Sequence, residues 1–200
     1  MLHSLLKKYW NTLNFKWYLA SAEAIKIVIG AGTTSFSGWY STDKEILNLT
    51  KESDFEKFIP GRNISHIMAE HVFEHLTEQE ILTALHLIHK YSTFNVTIRV
   101  AVPDGFNPDP QYIEKVRPGG TGKGAHEHKH LFNYLSLIEL FYRAGFTGNP
   151  IEYFDENNVF HQGYTNDEKG YISRSYINDS RNNGSTIIYS SLIIDFTKVE

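Results

Sequence analysis

Hydrophobic positions along the chain follow two different spacings. Residues 77–91 and 133–145 repeat apolar side chains every three or four positions, as amphipathic helices do. Strands that alternate with helices indicate an α/β fold with a mainly parallel sheet. Short apolar runs rich in β-branched residues predict the strands, at residues 25–30, 39–43, 45–50, 64–69, 96–104, 151–154 and 185–196.

The last two predicted strands, 151–154 and 185–196, have no helical pattern between them. They are therefore expected to pair antiparallel and to enclose a long insertion at residues 155–185. Two arginines in this insertion, Arg174 and Arg181, are suited to holding a phosphate or a carboxylate. A solvent-facing extension of the hairpin explains the insertion equally well.

The first 24 residues form a predicted helical extension ahead of the main domain, which we place at residues 25–200. We expect the apolar side of this helix to pack on the domain. Peripheral contact of residues 1–20 with a membrane surface is the alternative, because three lysines accompany the apolar side chains. The apolar stripe consists of Leu2, Leu5, Leu6, Tyr9, Trp10, Leu13 and Trp17, and it is interrupted too often to span a membrane.

Composition narrows the class of protein. Two hundred residues with a net charge of −4 fit one globular domain, and the absence of a basic stripe argues against a nucleic-acid partner. The chain has no cysteine, which excludes disulfides, Fe–S clusters and thiolate zinc sites. This composition is consistent with a cytoplasmic location.

A glycine turn follows the first predicted strand. Gly30, Ala31 and Gly32 allow a ligand to approach the backbone, and Asp43 stands at the end of the second strand, where an acid can hold a ribose. The nine residues from Gly30 to Gly38 leave no room for the full helix that a pyrophosphate requires. The pattern therefore favours an adenosine cofactor without phosphates, and a tight turn without a ligand is the alternative.

A sequence motif typical of metal binding follows the fourth predicted strand. The segment from His71 to His75 matches H-x-x-E-H, in which two histidines one helical turn apart hold zinc. Thr77 and Glu80, however, form a capping box that begins the next helix at about residue 78. Both histidines then precede that helix and need not share a face, so Glu74 and His75 are expected to fix the junction.

Three alternating histidines lie in a glycine-rich segment. An extended chain would place His126, His128 and His130 on one face, where imidazoles can bind zinc. A solvated loop has the same composition, and four glycines within residues 119–124 favour a mobile cover over a ligand. We therefore expect no metal ion.

Four segments together resemble a known family. Residues 25–43, 64–77, 99–105 and 128–146 are similar to class I S-adenosylmethionine-dependent methyltransferases, of the short type found beside sugar and polysaccharide biosynthesis enzymes. The resemblance implies a Rossmann-like, seven-stranded, mainly parallel sheet with an antiparallel last strand and helices on both faces. It further implies methyl transfer from S-adenosylmethionine to a small polar acceptor, with a sugar derivative as one option.

The resemblance also implies individual roles around the cofactor. Gly30, Ala31 and Gly32 would border its methionine part, and Asp43 would hold its ribose. The adenine is assigned to the segment after the third predicted strand, and Glu70 and His71 would lie beside the cofactor. For the adenine we favour Asp54 and Phe55, with Asn48 as the second choice.

A methyl transfer to a hydroxyl needs a general base near the acceptor. The candidates are Glu70, His71, Asp104 and His128, and for each a purely structural role in a turn is the alternative. Two further functions stay open: a non-catalytic module with this fold, and, less favoured, a metal-dependent hydrolase.

Overall fold

The structure, a computed structural model, describes residues 2–61, 63–182 and 187–199, and the side chains from residue 9 onwards. Five α-helices and seven strands are present in these residues. The helices are α1 (Leu2–Ser21), α2 (Glu52–Phe58), α3 (Glu78–Tyr91), α4 (Pro110–Val116) and α5 (Tyr134–Tyr142). The strands are β1 (Ile25–Ile29), β2 (Tyr40–Ser41), β3 (Ile64–Glu70), β4 (Ser92–Pro103), β5 (Phe146–Phe154), β6 (Phe160–Gln162) and β7 (Ser191–Lys198).

All seven strands belong to one sheet, in the order β2-β1-β3-β4-β7-β5-β6. Strands β2, β1, β3 and β4 are parallel, whereas β7 runs antiparallel between β4 and β5. Val100 of β4, for example, pairs with Ile194 of β7. The predicted Rossmann-like α/β class, with a mainly parallel sheet and an antiparallel last strand, is confirmed.

The seven strands are not the seven that were predicted. Residues 45–50 form turns, in which the N–H groups of Ile46 and Leu47 both donate to Asp43 O. Ile46 and Leu47 are nevertheless buried, so their apolar character reflects packing of a turn. The missing strand is replaced by β6, which lies inside the insertion and pairs with β5. The last strand begins at Ser191, and residues 185–186 of its predicted range lie outside the described residues.

The helices contribute unequally to the hydrophobic clusters on the two faces of the sheet. Helices α1, α2, α3 and α5 all contribute buried side chains to one large core cluster on a single face. The cluster on the opposite face contains no helical residue among those described. It is covered instead by the turn after β1 and by the insertion, which contributes Tyr164 and Ile172. The insertion is therefore part of the packed domain.

Helix α1 packs through a different face from the predicted stripe. Phe15 and Leu19 are buried, and the Phe15 ring stacks on Tyr40 at 4.7 Å. Trp10 and Trp17, which belong to the predicted stripe, are 61% and 75% exposed. No helix among the described residues is both long and apolar enough to cross a membrane.

The helix ends follow their capping signals. The side chain of Thr77 accepts from Glu80 N and Glu80 accepts from Thr77 N, as the predicted capping box requires. Helix α5 has Asn133 as its N-cap. The unpredicted helix α4 begins with Asp109 as N-cap followed by a proline, a pair of signals that was present in the sequence.

Candidate functional site

The glycine turn and the acid of β2 meet at the carboxyl end of the sheet. Gly30 and Gly32 have φ angles of 59° and 56°, in the left-handed region that favours glycine. A Cβ on Gly30 would lie 2.6 Å from Val72 Cγ2, so only glycine fits this approach. The N–H of Gly32 donates to Asp43 Oδ1 at 3.0 Å. The predicted pairing of turn and acid therefore exists.

Three cavities surround His71 at this edge of the sheet. The glycine-turn cavity, of about 280 Å³, and the 48–50 cavity, of about 320 Å³, share Gly30 as well as His71. The third and largest, of about 640 Å³, is called the basic cavity here. Its cationic lining residues are Lys115, Lys123, Arg174 and Arg181.

Glu70 fastens the insertion over the glycine turn. Its two carboxylate oxygens accept from Ser173 N at 3.0 Å and from Arg174 N at 2.9 Å. The insertion therefore forms one wall of the glycine-turn cavity, and Arg174 lies between this cavity and the basic cavity. Glu70 lies beside the predicted cofactor position, but both of its carboxylate oxygens already accept hydrogen bonds from backbone amides. Sequence patterns did not reveal this contact, because its donors are main-chain amides.

His71 is held at both ring nitrogens. Nδ1 lies 2.9 Å from Glu74 Oε1, and Nε2 lies 3.1 Å from Ser191 Oγ. Carboxylate, imidazole and hydroxyl in a row have the order of a hydrolase triad. Ser191, however, is fully buried and donates its hydroxyl to Arg174 O at 2.9 Å, so no substrate carbonyl can reach it. The arrangement orients the His71 ring and ties β3 to β7.

Glu74 and His75 line the basic cavity from the short 3-10 turn Phe73–His75. Burial raises the pKa of Glu74, but the hydrogen bond and charge of His71 outweigh burial and leave it below its ordinary value. For His75, burial disfavours the charged imidazolium and lowers the pKa below its ordinary value. Glu74 is thus a buried carboxylate and His75 a neutral imidazole.

The carboxylate of Asp104 is buried and joins two backbone segments. It is 0% exposed, and its two oxygens accept from Phe106 N at 3.0 Å and Phe154 N at 2.7 Å. Burial raises its pKa to about 6. No acceptor molecule reaches this carboxyl group, so the structure gives no support to Asp104 as a general base. His128 does line the basic cavity, and its Nδ1 donates to Val116 O at 2.7 Å.

The three residues that the sequence analysis considered for contact with the adenine differ in their burial and contacts. Phe55 is 0% exposed and packs beside Tyr91 in the core, which leaves it no surface for a ligand. Asp54 accepts from Asn48 N at 3.0 Å and supports that loop from behind. Asn48 itself lines the 48–50 cavity with Leu49. Of the three residues, Asn48 is the one that lines this cavity.

The glycine-rich segment is folded closely onto α4. A Cβ on Gly120 or on Gly122 would lie 2.4 Å from a carbonyl oxygen of Glu114 or Lys115. These glycines are therefore required by close backbone packing. The alternating histidines do not share one extended face, because a 3-10 turn at Ala125–Glu127 interrupts the segment and leaves the side chain of His126 76% exposed.

Residues of the basic cavity that the sequence did not single out include Tyr112, Lys115 and Tyr189. Burial raises the pKa of Tyr189 to about 12, and the Arg181 guanidinium lies 3.9 Å from its ring centre. Arg181 also pairs with Asp179, which partly neutralises it. Arg174 is likewise paired, with Glu70 Oε1 at 3.7 Å, which leaves Lys115 and Lys123 as the cations of this cavity outside these two ion pairs.

Comparison with known proteins identifies no relative by sequence: no family model matches the chain, and no curated protein matches it. Similar solved structures include LepI in complex with SAM, at 11% identity and a TM-score of 0.45 over 94% of this chain. This chain spans only 39% of the length of the LepI chain.

Two further similar structures are methyltransferases. A SAM-dependent methyltransferase from Archaeoglobus fulgidus has 14% identity and a TM-score of 0.48, over 96% of this chain and 94% of that one. Magnesium protoporphyrin IX methyltransferase from Synechocystis, with bound SAH, has 8% identity and a TM-score of 0.41, over 96% and 83% of the two chains. Similarity at this level concerns the path of the chain and does not extend to individual side chains.

Proposed function

We propose that the protein is an S-adenosylmethionine-dependent methyltransferase that acts on a small polar acceptor. The observation that carries the proposal is the meeting of the glycine turn with Asp43 at the strand ends, between two cavities that share Gly30 and His71. A ligand crossing the open edge of a parallel sheet at this point needs no phosphate-binding helix. S-adenosylmethionine is an adenosine cofactor without phosphates.

The cofactor would lie with its adenine in the 48–50 cavity and its methionine part in the glycine-turn cavity. Asp43 is exposed and already orients Gly32, so its carboxylate is open to the ribose hydroxyls between the two cavities. The left-handed turn at Gly30 lets the ligand pass close to the backbone. In this arrangement Asn48, rather than Phe55, contacts the base.

The acceptor would occupy the basic cavity, which adjoins the glycine-turn cavity at His71 and Arg174. Its volume of about 640 Å³ suits a small molecule. Arg174, Lys115 and Lys123 favour an acceptor with a carboxylate or a phosphate. A sugar acid or a sugar phosphate meets this requirement, in keeping with the resemblance to enzymes of polysaccharide biosynthesis.

The reaction would be a direct displacement, in which an acceptor oxygen attacks the sulfonium methyl and S-adenosylhomocysteine leaves. Correct positioning supplies most of the rate enhancement for such a step. Glu70 and Asp104 each accept two backbone amides, which makes them positioning residues. His128 is the remaining candidate at the acceptor, because Val116 engages Nδ1 and leaves Nε2 available on the cavity side.

Calorimetric titration with S-adenosylhomocysteine tests this proposal. We expect one binding site per chain, and we expect Asp43→Asn to weaken binding about tenfold, which corresponds to about 1.4 kcal/mol. Asparagine keeps an oxygen for Gly32 N–H, so the turn itself is preserved. Glu45→Gln removes an exposed charge two residues away and should leave affinity unchanged. Absence of binding at millimolar ligand, or equal losses in both variants, contradicts the assignment.

A further inference from the structure

We propose that Glu74, His75 and His128 bind one divalent transition-metal ion at the wall of the basic cavity. The three side chains offer one carboxylate oxygen and two imidazole nitrogens, and these ligand atoms lie within 4.8 Å of one another. The site differs from the zinc-binding motif in the sequence, because it uses only the second histidine of H-x-x-E-H. An ion bound here takes His128 Nε2 as a ligand, so His128 cannot also act as the general base while the ion is bound.

Two of the three ligand side chains carry a buried polar atom that lacks a hydrogen-bond partner among the described residues. Glu74 is 0% exposed, and only Oε1 contacts a neighbour, His71 Nδ1 at 2.9 Å, which leaves Oε2 unpartnered. His75 Nδ1 is likewise buried without a partner. Unsatisfied buried polar atoms are costly, and buried charges are normally paired or coordinate metals. A cation between these atoms would satisfy both.

Two of the three ligands are already fixed by a second contact. Nδ1 of His128 donates to Val116 O at 2.7 Å, which leaves Nε2 as the ligand nitrogen. His71 Nδ1 holds Glu74 through Oε1. Metal-binding histidines are usually oriented in this way, with one ring nitrogen bonded to a carbonyl and the other facing the ion.

Two separate loops are joined where the ligands meet. Glu74 O accepts from Lys129 N at 2.7 Å, which holds the segment with His128 against the turn that carries Glu74 and His75. The two imidazole rings lie 4.7 Å apart in an edge-to-face arrangement. Ligand distances of about 2.0 Å imply roughly 3.3 Å between ligand atoms around a tetrahedral ion, so small side-chain rotations would close the site.

The donor set selects the class of ion. Two imidazoles and one carboxylate suit Zn²⁺, Fe²⁺, Co²⁺ or Mn²⁺ better than Ca²⁺ or Mg²⁺, which prefer oxygen ligands. Three protein ligands leave at least one coordination position open. Since all three residues line the basic cavity, that position would take water or an oxygen of the anionic molecule that Arg174 and Lys115 favour.

Titration of the metal-free protein, purified without a histidine tag, with Co²⁺ tests the site directly. We expect visible ligand-field absorption that saturates at one ion per chain and is displaced by Zn²⁺. His75→Gln and His128→Gln should each weaken Co²⁺ binding at least about tenfold. His126→Gln, which removes an exposed imidazole two residues from His128, is the matched control and should bind as the wild type does.

The proposal is overturned by a flat titration, or by binding that His126→Gln reduces as much as His128→Gln does. Circular dichroism of each metal-free variant establishes that it is folded. His75→Gln and His128→Gln lie on different loops, so the test can be carried out with either variant if only one of them folds. Because the titration contains no S-adenosylhomocysteine, its outcome is separate from that of the proposed methyltransferase function.

Discussion

Glu152 illustrates how a single buried carboxyl group couples stability to pH. It is 0% exposed, Oε1 accepts from Tyr176 N at 2.7 Å, and Oε2 has no hydrogen-bond partner among the described residues. Burial, opposed by that hydrogen bond and assisted by the charge of Asp104, raises its pKa from 4.5 to about 8. Between these values the folded protein keeps a proton that the unfolded chain has released. Stability therefore falls as pH rises through this window.

Replacing Glu152 by glutamine should remove this loss, because the amide oxygen still accepts from Tyr176 N and no charge can form. We expect Glu152→Gln to gain about 1–3 kcal/mol over the wild type on going from pH 5 to pH 8. Urea denaturation at the two pH values measures the difference. Glu56→Gln, at an exposed position of α2, should show no such gain. A stability difference for Glu152→Gln that is independent of pH would refute the account.

Individual site residues were predicted from the sequence only where a backbone pattern specified them. Gly30, Gly32 and Asp43 come together because strand ends in a parallel sheet meet at one edge. Asp104 was misjudged, since an acid at a strand end looks the same whether it faces a ligand or two buried amides. The meeting of Glu74 with His128 depends on how two loops pack, which no local pattern encodes.

At the scale of elements, Arg99 joins the sheet to the insertion. Its guanidinium donates to Asp195 from β7 and to Asp167 and Gly170 O from the insertion, with the shortest contacts at 2.7 Å. Arg99 is 1% exposed, and its partners raise its pKa above the usual value although burial opposes this. A buried guanidinium whose nitrogen atoms all have hydrogen-bond acceptors holds these elements in one arrangement.

Arg99→Met should destabilise the fold by about 3–5 kcal/mol, because it leaves the buried carboxylate of Asp195 with only the longer contact to Lys169 Nζ at 3.4 Å. Arg143→Met breaks a comparably short but exposed pair with Glu78, and it should cost less than about 1 kcal/mol. Chemical denaturation of both variants measures the contrast. Equal losses would show that the insertion is not anchored through Arg99.

The order of elements was largely predictable, and their packing was less so. Capping signals located α3 and α5, and β-branched runs located β1, β3 and β4. Residues 45–50 were misread because a buried turn and a buried strand share the same apolar run. The packing of the insertion on the second face of the sheet could not be foreseen either, since the insertion is held there through main-chain contacts with Glu70 and through Arg99.

At the scale of the whole molecule, three cavities converge on His71 at one edge of the sheet. The insertion contributes Ser173 and Arg174 to the glycine-turn cavity and Arg174 to the basic cavity. This arrangement offers one compartment for an adenosine cofactor and an adjacent one for an anionic acceptor. Glu74, His75 and His128 line the second compartment, and His75 also borders the 48–50 cavity.

A crystal structure of the protein with S-adenosylhomocysteine tests the central claim most directly. We predict that the ligand crosses the turn of Gly30–Gly32, with its adenine beside Asn48, its ribose on Asp43 and its sulfur directed towards the basic cavity. Density for the ligand elsewhere on the molecule, or an empty glycine turn at saturating ligand, would contradict the assignment of this edge as a methyl-donor site.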